Sequence, residues 1–332
     1  MSAASKIAVQ FEGVSKLLAG RQILDKLTFD VREGETFVII GYSGTGKSVT
    51  LRHMVGLMAP DEGSIRVGSE EITTMTRGEL EIMRRKFGVL FQSGALIAWL
   101  NLFENVELPL VEHTRMSRKK RAEIVQQKLE IVNLWQDREK YPAEISGGMK
   151  KRAGLARALA LDPGIVLYDE PTSGLDPVIA NEIDKLINRL KREHHMTQIV
   201  VTHDMDSAFE IGDRIGMFYK GSMIQIGTPE EIQSSTIPEV QHFITGGREG
   251  AISRRATTAV VRGVAPGMLS QRSLEAIDSG APVATSEHGY VLLSDEEAAA
   301  AALQPQEETE GPVDTAGTRN ATPSLEPEET DA

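Results

Sequence analysis

Thr36-Phe37-Val38-Ile39-Ile40-Gly41-Tyr42-Ser43-Gly44-Thr45-Gly46-Lys47-Ser48 is the stretch that decides the fold. The first five residues predict a strand buried on both faces. The next eight fit G-x-x-x-x-G-K-[ST], and helical spacing follows over residues 48–57. Strand, glycine loop and helix in this order let backbone N–H groups curl around a phosphate while the helix aims its positive end at it. On this reading Gly41, Tyr42, Ser43, Gly44, Thr45 and Gly46 form the cradle. Lys47 then bridges the β- and γ-phosphates, and Ser48 ligates Mg²⁺. A chance match in a chain of this length is on the order of 1%.

Working outward, Ile165-Val166-Leu167-Tyr168-Asp169-Glu170 is an apolar strand ending in two carboxylates. Asp169 suits Mg²⁺, directly or through water, and Glu170 suits a base that takes a proton from an attacking water. Gln198-Ile199-Val200-Val201 reads as a third buried strand, and residues 149–161 carry helical spacing. Buried strands alternating with helices predict an α/β domain around a mainly parallel sheet. Val9, Phe11 and Val14, followed by Leu27, Phe29 and Val31, predict an antiparallel β subdomain ahead of it. Residues 98–143 contain no comparable strand run. Their amphipathic stretch 117–134, with Ile124, Leu129 and Val132 inward, predicts an inserted helical subdomain over about 98–160.

The chain has 332 residues, 40% hydrophobic and 25% charged, and no cysteine. That much apolar material rules out wholesale disorder. The missing cysteines exclude a disulfide framework, cysteine-ligated zinc and a thiol nucleophile, and they fit a reducing cytoplasm. Apolar runs such as residues 37–40 fall far short of the ~18 residues a spanning helix needs. Residues 1–6 lack the apolar core of a signal peptide. The expectation is therefore a chain that neither spans a membrane nor enters a secretory route unaided.

Charge is uneven. Residues 251–332 hold 5 Arg against 14 Asp and Glu, a net of −9 out of −12 for the whole chain. A near-neutral body with an acidic tail argues against broad nucleic-acid binding, which needs a basic surface. The tail carries six prolines, among them Pro305, Pro312, Pro323 and Pro327, and an alanine run at 298–302. The organisation expected is a body over 7–247, an extension over 248–302, and a disordered Pro/Glu-rich tail over 303–332. Within the extension, 259–261 and 290–293 read as short extended segments. The stretch 238–247, with Val240, Phe243 and Ile244, reads as a closing helix packed on the body and not as a ligand site.

Four further motifs complete the pattern. Ile145-Ser146-Gly147-Gly148-Met149 ends 21 residues before Glu170; Gln92 follows Leu90-Phe91; Ser173-Gly174-Leu175-Asp176 follows the acidic pair; and His203 follows a strand. In order and spacing they resemble the signature motif, Q-loop, D-loop and switch histidine of ABC ATPases. Each alone is weak, but six motifs in register identify the chain over residues 7 to about 247 as a member of that family. The resemblance implies ATP and Mg²⁺ as ligands and a head-to-tail homodimer. Each ATP would lie between one chain's phosphate loop and the partner's Ser146, Gly147 and Gly148, with Asp176 at the same interface. His203 would contact the γ-phosphate, and Gln92 would join Mg²⁺ and the water to the helical subdomain. The aromatic that the family usually places after the first strand is missing. Lys16-Leu17-Leu18-Ala19 stands there, so a leucine is the expected base platform.

Ser146-Gly147-Gly148-Met149-Lys150-Lys151-Arg152-Ala153-Gly154, Leu90-Phe91-Gln92-Ser93-Gly94-Ala95-Leu96 and Pro109-Leu110-Val111-Glu112-His113-Thr114 resemble the ATPases of Mla-type and Mce-associated lipid transporters. That resemblance implies phospholipid or a related hydrophobic cargo and an MlaE-type integral permease. It also implies an Mce-domain lipid-binding protein, a STAS-domain partner in some systems, and a peripheral place on the cytoplasmic face of the inner membrane. Trp99 and Leu100 depart from the subfamily pattern and read equally as permease-groove or buried structural residues. The alternatives are a soluble single-cassette ATPase in an assembly role and the ATPase of a polar-solute importer.

Overall fold

Phe11, Phe29 and Phe37 stack ring on ring, with centroids 4.7 and 5.6 Å apart, in the computed structural model, which describes residues 6–246, 283–286 and 289–292. They sit on β1 (Ile7–Leu18), β2 (Arg21–Arg32) and β3 (Thr36–Ile40), so the stack pins an antiparallel sheet onto the strand that leads into the glycine loop. β4 (Glu62–Val67) and the two-residue β5 (Glu70–Glu71) complete that sheet, in the order β2-β1-β4-β5.

The second sheet carries the site. It adds β6 (Phe87–Leu90), β7 (Ile165–Asp169), β8 (Thr197–Thr202), β9 (Arg214–Tyr219) and β10 (Ser222–Gly227), in the order β10-β9-β3-β8-β7-β6. All neighbours are parallel except β9 and β10. The register sets Ile40 opposite Thr202, Asp169 opposite Val201, and Leu90 opposite Tyr168. The carboxyl ends of β3, β8, β7 and β6 therefore finish at one edge, where open α/β sheets bind ligands.

Alternation along the central strands divides the interior into two cores. Val38, Ile40, Val166, Tyr168 and Val200 face one, with the helices; Phe37, Ile39, Leu167, Ile199 and Val201 face the other, with the antiparallel sheet. Strands buried on both faces explain the unbroken apolar runs in the sequence.

α1 (Lys47–Met54) follows the glycine loop and ends three residues before the expected limit, because Gly56 takes a left-handed turn there. α2 (Arg77–Arg84) opens with a capping box at Thr76. The expected helical insertion contains α3 (Leu102–His113), α4 (Arg118–Ile131) and α5 (Gly147–Ala158). Ser117 caps α4, whose buried residues are Val125, Lys128 and Leu129; of the residues expected inward, Leu129 and Val132 are in the core and Ile124 packs against it. α6 (Pro177–His194) and α7 (Met205–Ile211) flank β8, and α8 (Pro229–Gln233) and α9 (Pro238–Ile244) close the unit.

The chain divides into two compact units, Met1–Gly250 and Ala251–Ala332. In the second, β11 (Val283–Ser286) and β12 (Gly289–Leu292) form an antiparallel hairpin. The expected extended segment at 290–292 lies in β12; the expectations for 259–261, Leu293 and the 303–332 tail fall outside the described residues. Among the described residues no helix is long and apolar enough to cross a membrane.

Candidate functional site

The loop between β3 and α1 is shaped by contacts that only glycine permits. Gly41 has φ 152°, and a Cβ there would stand 2.4 Å from the carbonyl oxygen of Phe218 on β9. Any side chain would push the loop off the sheet edge. Lys47 is 6% exposed. Its Nζ donates to the carbonyls of Gly41 at 2.7 Å and Tyr42 at 2.9 Å. The Thr45 hydroxyl also donates to the Tyr42 carbonyl, at 2.8 Å. Burial pushes the Lys47 ammonium below its ordinary pKa, opposed by the carboxylates of Glu170 and Asp169.

Ser48 Oγ donates to Asp169 Oδ1 at 3.0 Å, joining the first residues of α1 to the end of β7. Burial raises the Asp169 carboxyl, and the Ser48 hydrogen bond opposes the shift. Two hard oxygen donors held together beside a phosphate cradle fit Mg²⁺, which takes a few protein oxygens and completes its shell with phosphate and water. Gln92 lines the same cavity, with its Nε2 3.4 Å from Ser173 Oγ.

Glu170 stands in the left-handed region, φ 53°. That conformation costs an ordinary residue ~1–2 kcal/mol and persists where surrounding bonds over-determine it. Its N–H donates to the Val201 carbonyl at 2.9 Å, and Lys151 Nζ donates to its carbonyl at 2.7 Å. The turn aims the side chain at His203, whose Nδ1 lies 2.8 Å from Glu170 Oε2. A carboxylate and an imidazole in this arrangement can take a proton from water and hold an anion beside it.

These groups converge on a cavity of about 1010 Å³ lined by Tyr42, Ser43, Gly44, Gly46, Lys47 and Ser48, together with Gln92, Glu170 and His203. Gly41, Thr45 and Asp169 stand beside these groups without lining the cavity, and Ser146, Gly147, Gly148 and Asp176 are not among its lining residues either. Ser146 caps α5 by accepting from the Met149 N–H at 3.3 Å, and Asp176 caps α6 by accepting from Val178 and Ile179. The two turns pack together: a Cβ on Gly148 would stand 2.5 Å from Ile179 Cγ2.

Leu17 is 52% exposed and lines a depression with Ser15, Lys16 and Asp61, where its N–H donates to Asp61, just ahead of β4. One expectation needs correction: the closing helix is not only packing. Val240 is fully buried, but His242, Phe243 and Ile244 line the cavity. The Tyr42 hydroxyl lies 2.6 Å from His242 Nδ1, and the Phe243 ring meets Tyr42 edge-on at 5.0 Å. Ile23, from β2, lines the wall too. Lys151 was also missed. Its signal was position, five residues past a capping serine on a helix that packs against β6, the neighbour of the strand before Glu170.

A glycine cradle, a buried lysine, a serine–aspartate pair and a glutamate–histidine pair on one sheet edge define a nucleotide-hydrolysing cassette. The family model described as ABC transporter matches residues 24–173. A probable ribonucleotide transport ATP-binding protein, mkl, of Mycobacterium leprae is 42% identical over 74% of this chain and 71% of its own. The intermembrane phospholipid transport ATP-binding protein MlaF of Escherichia coli is 36% identical over 74% of this chain and 92% of its own. A solved dimeric ATP-binding cassette, in a post-hydrolysis state bound to ADP and Pi, superposes with TM-score 0.62 at 33% identity, covering 67% of this chain and 98% of that one. The chain belongs to the ABC transporter ATP-binding protein family. It is the ATP-hydrolysing subunit of an ABC transporter.

Proposed function

We propose that the chain powers movement of phospholipid or a related hydrophobic molecule through an MlaE-type permease. In this reading it works as a head-to-tail homodimer on the cytoplasmic face of the inner membrane. An Mce-domain lipid-binding protein beyond the permease and a STAS-domain protein are its further partners. The observation that carries the reading is the similarity to MlaF over 92% of that protein.

The geometry and the family resemblance together support a role for each residue. Gly41 to Gly46 present N–H groups to the phosphates, and Lys47 leaves the Gly41 and Tyr42 carbonyls for the β- and γ-phosphates. Added negative charge would restore the ammonium's ordinary pKa. Ser48, Asp169 and Gln92 would hold Mg²⁺, which supplies neutralisation of phosphate charge. Glu170 takes a proton as the water oxygen bonds to the γ-phosphorus. The bond from that phosphorus to the β–γ bridging oxygen breaks, and ADP leaves with those electrons. His203 holds the γ-phosphate oxygens. The partner's Ser146, Gly147 and Gly148 close the site from the other side, with Asp176 shaping the same interface.

Trp99 belongs to this reading. It is 78% exposed, on a loop fastened from beneath. The buried Asn105 side chain donates to the carbonyls of Ile97, Leu100 and Asn101 and accepts from the Ile97 N–H. A large apolar ring held outward on an anchored loop suits a protein partner better than solvent. Its proposed contact is the permease. Trp99→Ala should leave ATP turnover of the isolated chain within about twofold while weakening retention on the permease about tenfold or more, the usual scale for a buried aromatic anchor. Equal retention would remove Trp99 from the interface.

A second reading has its own support, the 42% identity to a protein named for ribonucleotide transport. Affinity purification of the full chain from detergent-solubilised native membranes separates the two. Recovery of a multi-span permease with an Mce-domain protein and phospholipid is expected. A permease with a polar-solute binding protein would overturn the lipid reading, and recovery without any integral partner would overturn both.

A further inference from the structure

Asp184, on α6, is a buried acid that the hydrolysis chemistry does not use. It is 5% exposed. Its Oδ2 accepts from Ser207 Oγ at 2.7 Å, and its Oδ1 has no hydrogen-bond partner. Burial raises its carboxyl to about 6, opposed by the Ser207 hydrogen bond. The charged groups acting on it are Asp204 and Glu210, both acidic, so no cation offsets the burial. Leaving half a carboxylate unpaired inside a protein is costly, and apolar packing of the same shape is often as stable or more so. A position where leucine would serve stability as well holds an acid.

Its surroundings account for the choice. Ser207 lies in the first turn of α7, directly after the switch segment. Its N–H and that of Asp206 donate to Asp204 Oδ1, at 3.3 and 3.1 Å, next to His203. Ser207 Oγ also stands 3.5 Å from Thr172 Oγ1, two residues after Glu170. The chain leaving β7 and the chain leaving β8 are thus linked twice, by Glu170 with His203 at the cavity and by Thr172 with Ser207 beneath it. Asp184 orients the hydroxyl in the lower link. It does so from α6, whose first turn carries Ile179 against Gly148 of the signature turn.

We propose that Asp184 is a positioning residue for hydrolysis: by fixing the Ser207 hydroxyl it sets the first turn of α7, and with it the placement of His203 relative to Glu170. It acts through those two groups and touches no substrate. The inference rests on the proposed roles of Glu170 and His203, and its consequence is specific. Loss of the Asp184 acceptor slows the chemical step and spares nucleotide binding, because Lys47 and the glycine loop are held by other bonds.

The test uses the purified full chain and compares Asp184→Leu, Asp184→Asn and Glu170→Gln for kcat, ATP KM and Tm. Asp184→Leu should lower kcat about tenfold with KM within about twofold and Tm unchanged or raised. Asp184→Asn, which keeps an acceptor for Ser207, should restore kcat to within about twofold of the parent. Parental kcat in Asp184→Leu, with Glu170→Gln inactive, would overturn the positioning role alone. Full turnover by Glu170→Gln would overturn the assignment of the base and this inference with it. A kcat loss equal in the Asn and Leu variants would also overturn it, since hydrogen-bond geometry would then not be what matters.

Discussion

Two helix entrances in this molecule have the same backbone chemistry and different surroundings. At Gly46–Lys47 the first N–H groups of α1 face a cavity that also holds Lys47, Glu170 and His203, with Ser48 tied to Asp169. At Ser146–Gly147 the first turn of α5 has only its serine cap in front and Leu175 and Ile179 behind. Both are places where an anion is favoured. One faces the cavity with the charges and carboxylates that phosphate chemistry needs, and the other lies outside that cavity. The difference fits the head-to-tail pair proposed above, in which one chain's binding half is closed by the other's signature turn.

The largest expected effect breaks the first half. Glu170→Gln should reduce ATP turnover by ~10²–10⁴-fold, the scale of losing a general base. It should also leave an ATP-dependent dimer that persists on size exclusion. Turnover near the parental rate would take Glu170 out of the mechanism and leave His203 as the candidate base.

The next effect tests whether the two entrances work across chains. A Cβ at Gly147 meets only Leu175 Cδ2, at 3.5 Å, so Gly147→Asp should keep the turn and place a carboxylate where phosphate would arrive. Gly147→Asp and Lys47→Ala should each be inactive alone. Mixed in equal amounts, they form heterodimers with one intact site. Turnover should then recover to about a quarter of the parental rate if pairing is random and the sites are independent. No recovery on mixing would mean that each site closes within its own chain.

How much of this was legible beforehand depends on how local the cause was. The glycine loop, the Asp169–Glu170 pair and the strand before His203 were readable because motif and secondary structure coincide over a few residues. The antiparallel pairing of β1 with β2 was readable from alternation, since Val9, Phe11, Leu27 and Phe29 all point one way. The wall formed by His242 and Phe243 was not, because the Tyr42–His242 contact joins residues 200 positions apart and nothing local marks it. The place of Leu17 was not readable either, because the bond its N–H donates to Asp61 spans 44 positions. Asp184 was invisible in the sequence, where an acid on an amphipathic helix reads as solvent-facing; only packing against α7 makes it a buried one.

The smallest expected effect concerns α6, the helix that sets Ile179 against Gly148 and Asp184 against α7. The Asp184 carboxyl is raised from 3.8 to about 6, so the folded chain holds this proton more tightly than the unfolded one. Stability from that difference is fully present below pH 4 and is lost as pH rises through about 6. Asp184→Asn does not titrate. It should therefore match the parent most nearly at low pH and exceed it above pH 7, by on the order of 2 kcal/mol or less. For a unit of this size that is a Tm gain of a few degrees, roughly 2–4 °C per kcal/mol. Measuring Tm of both chains at pH 5 and pH 8 gives the answer. A gain that grows with pH places an ionised, half-paired carboxylate beneath the switch segment. A gain equal at both values would mean that Asp184 keeps one charge state throughout, and that α6 reaches the catalytic edge through hydrogen-bond geometry alone.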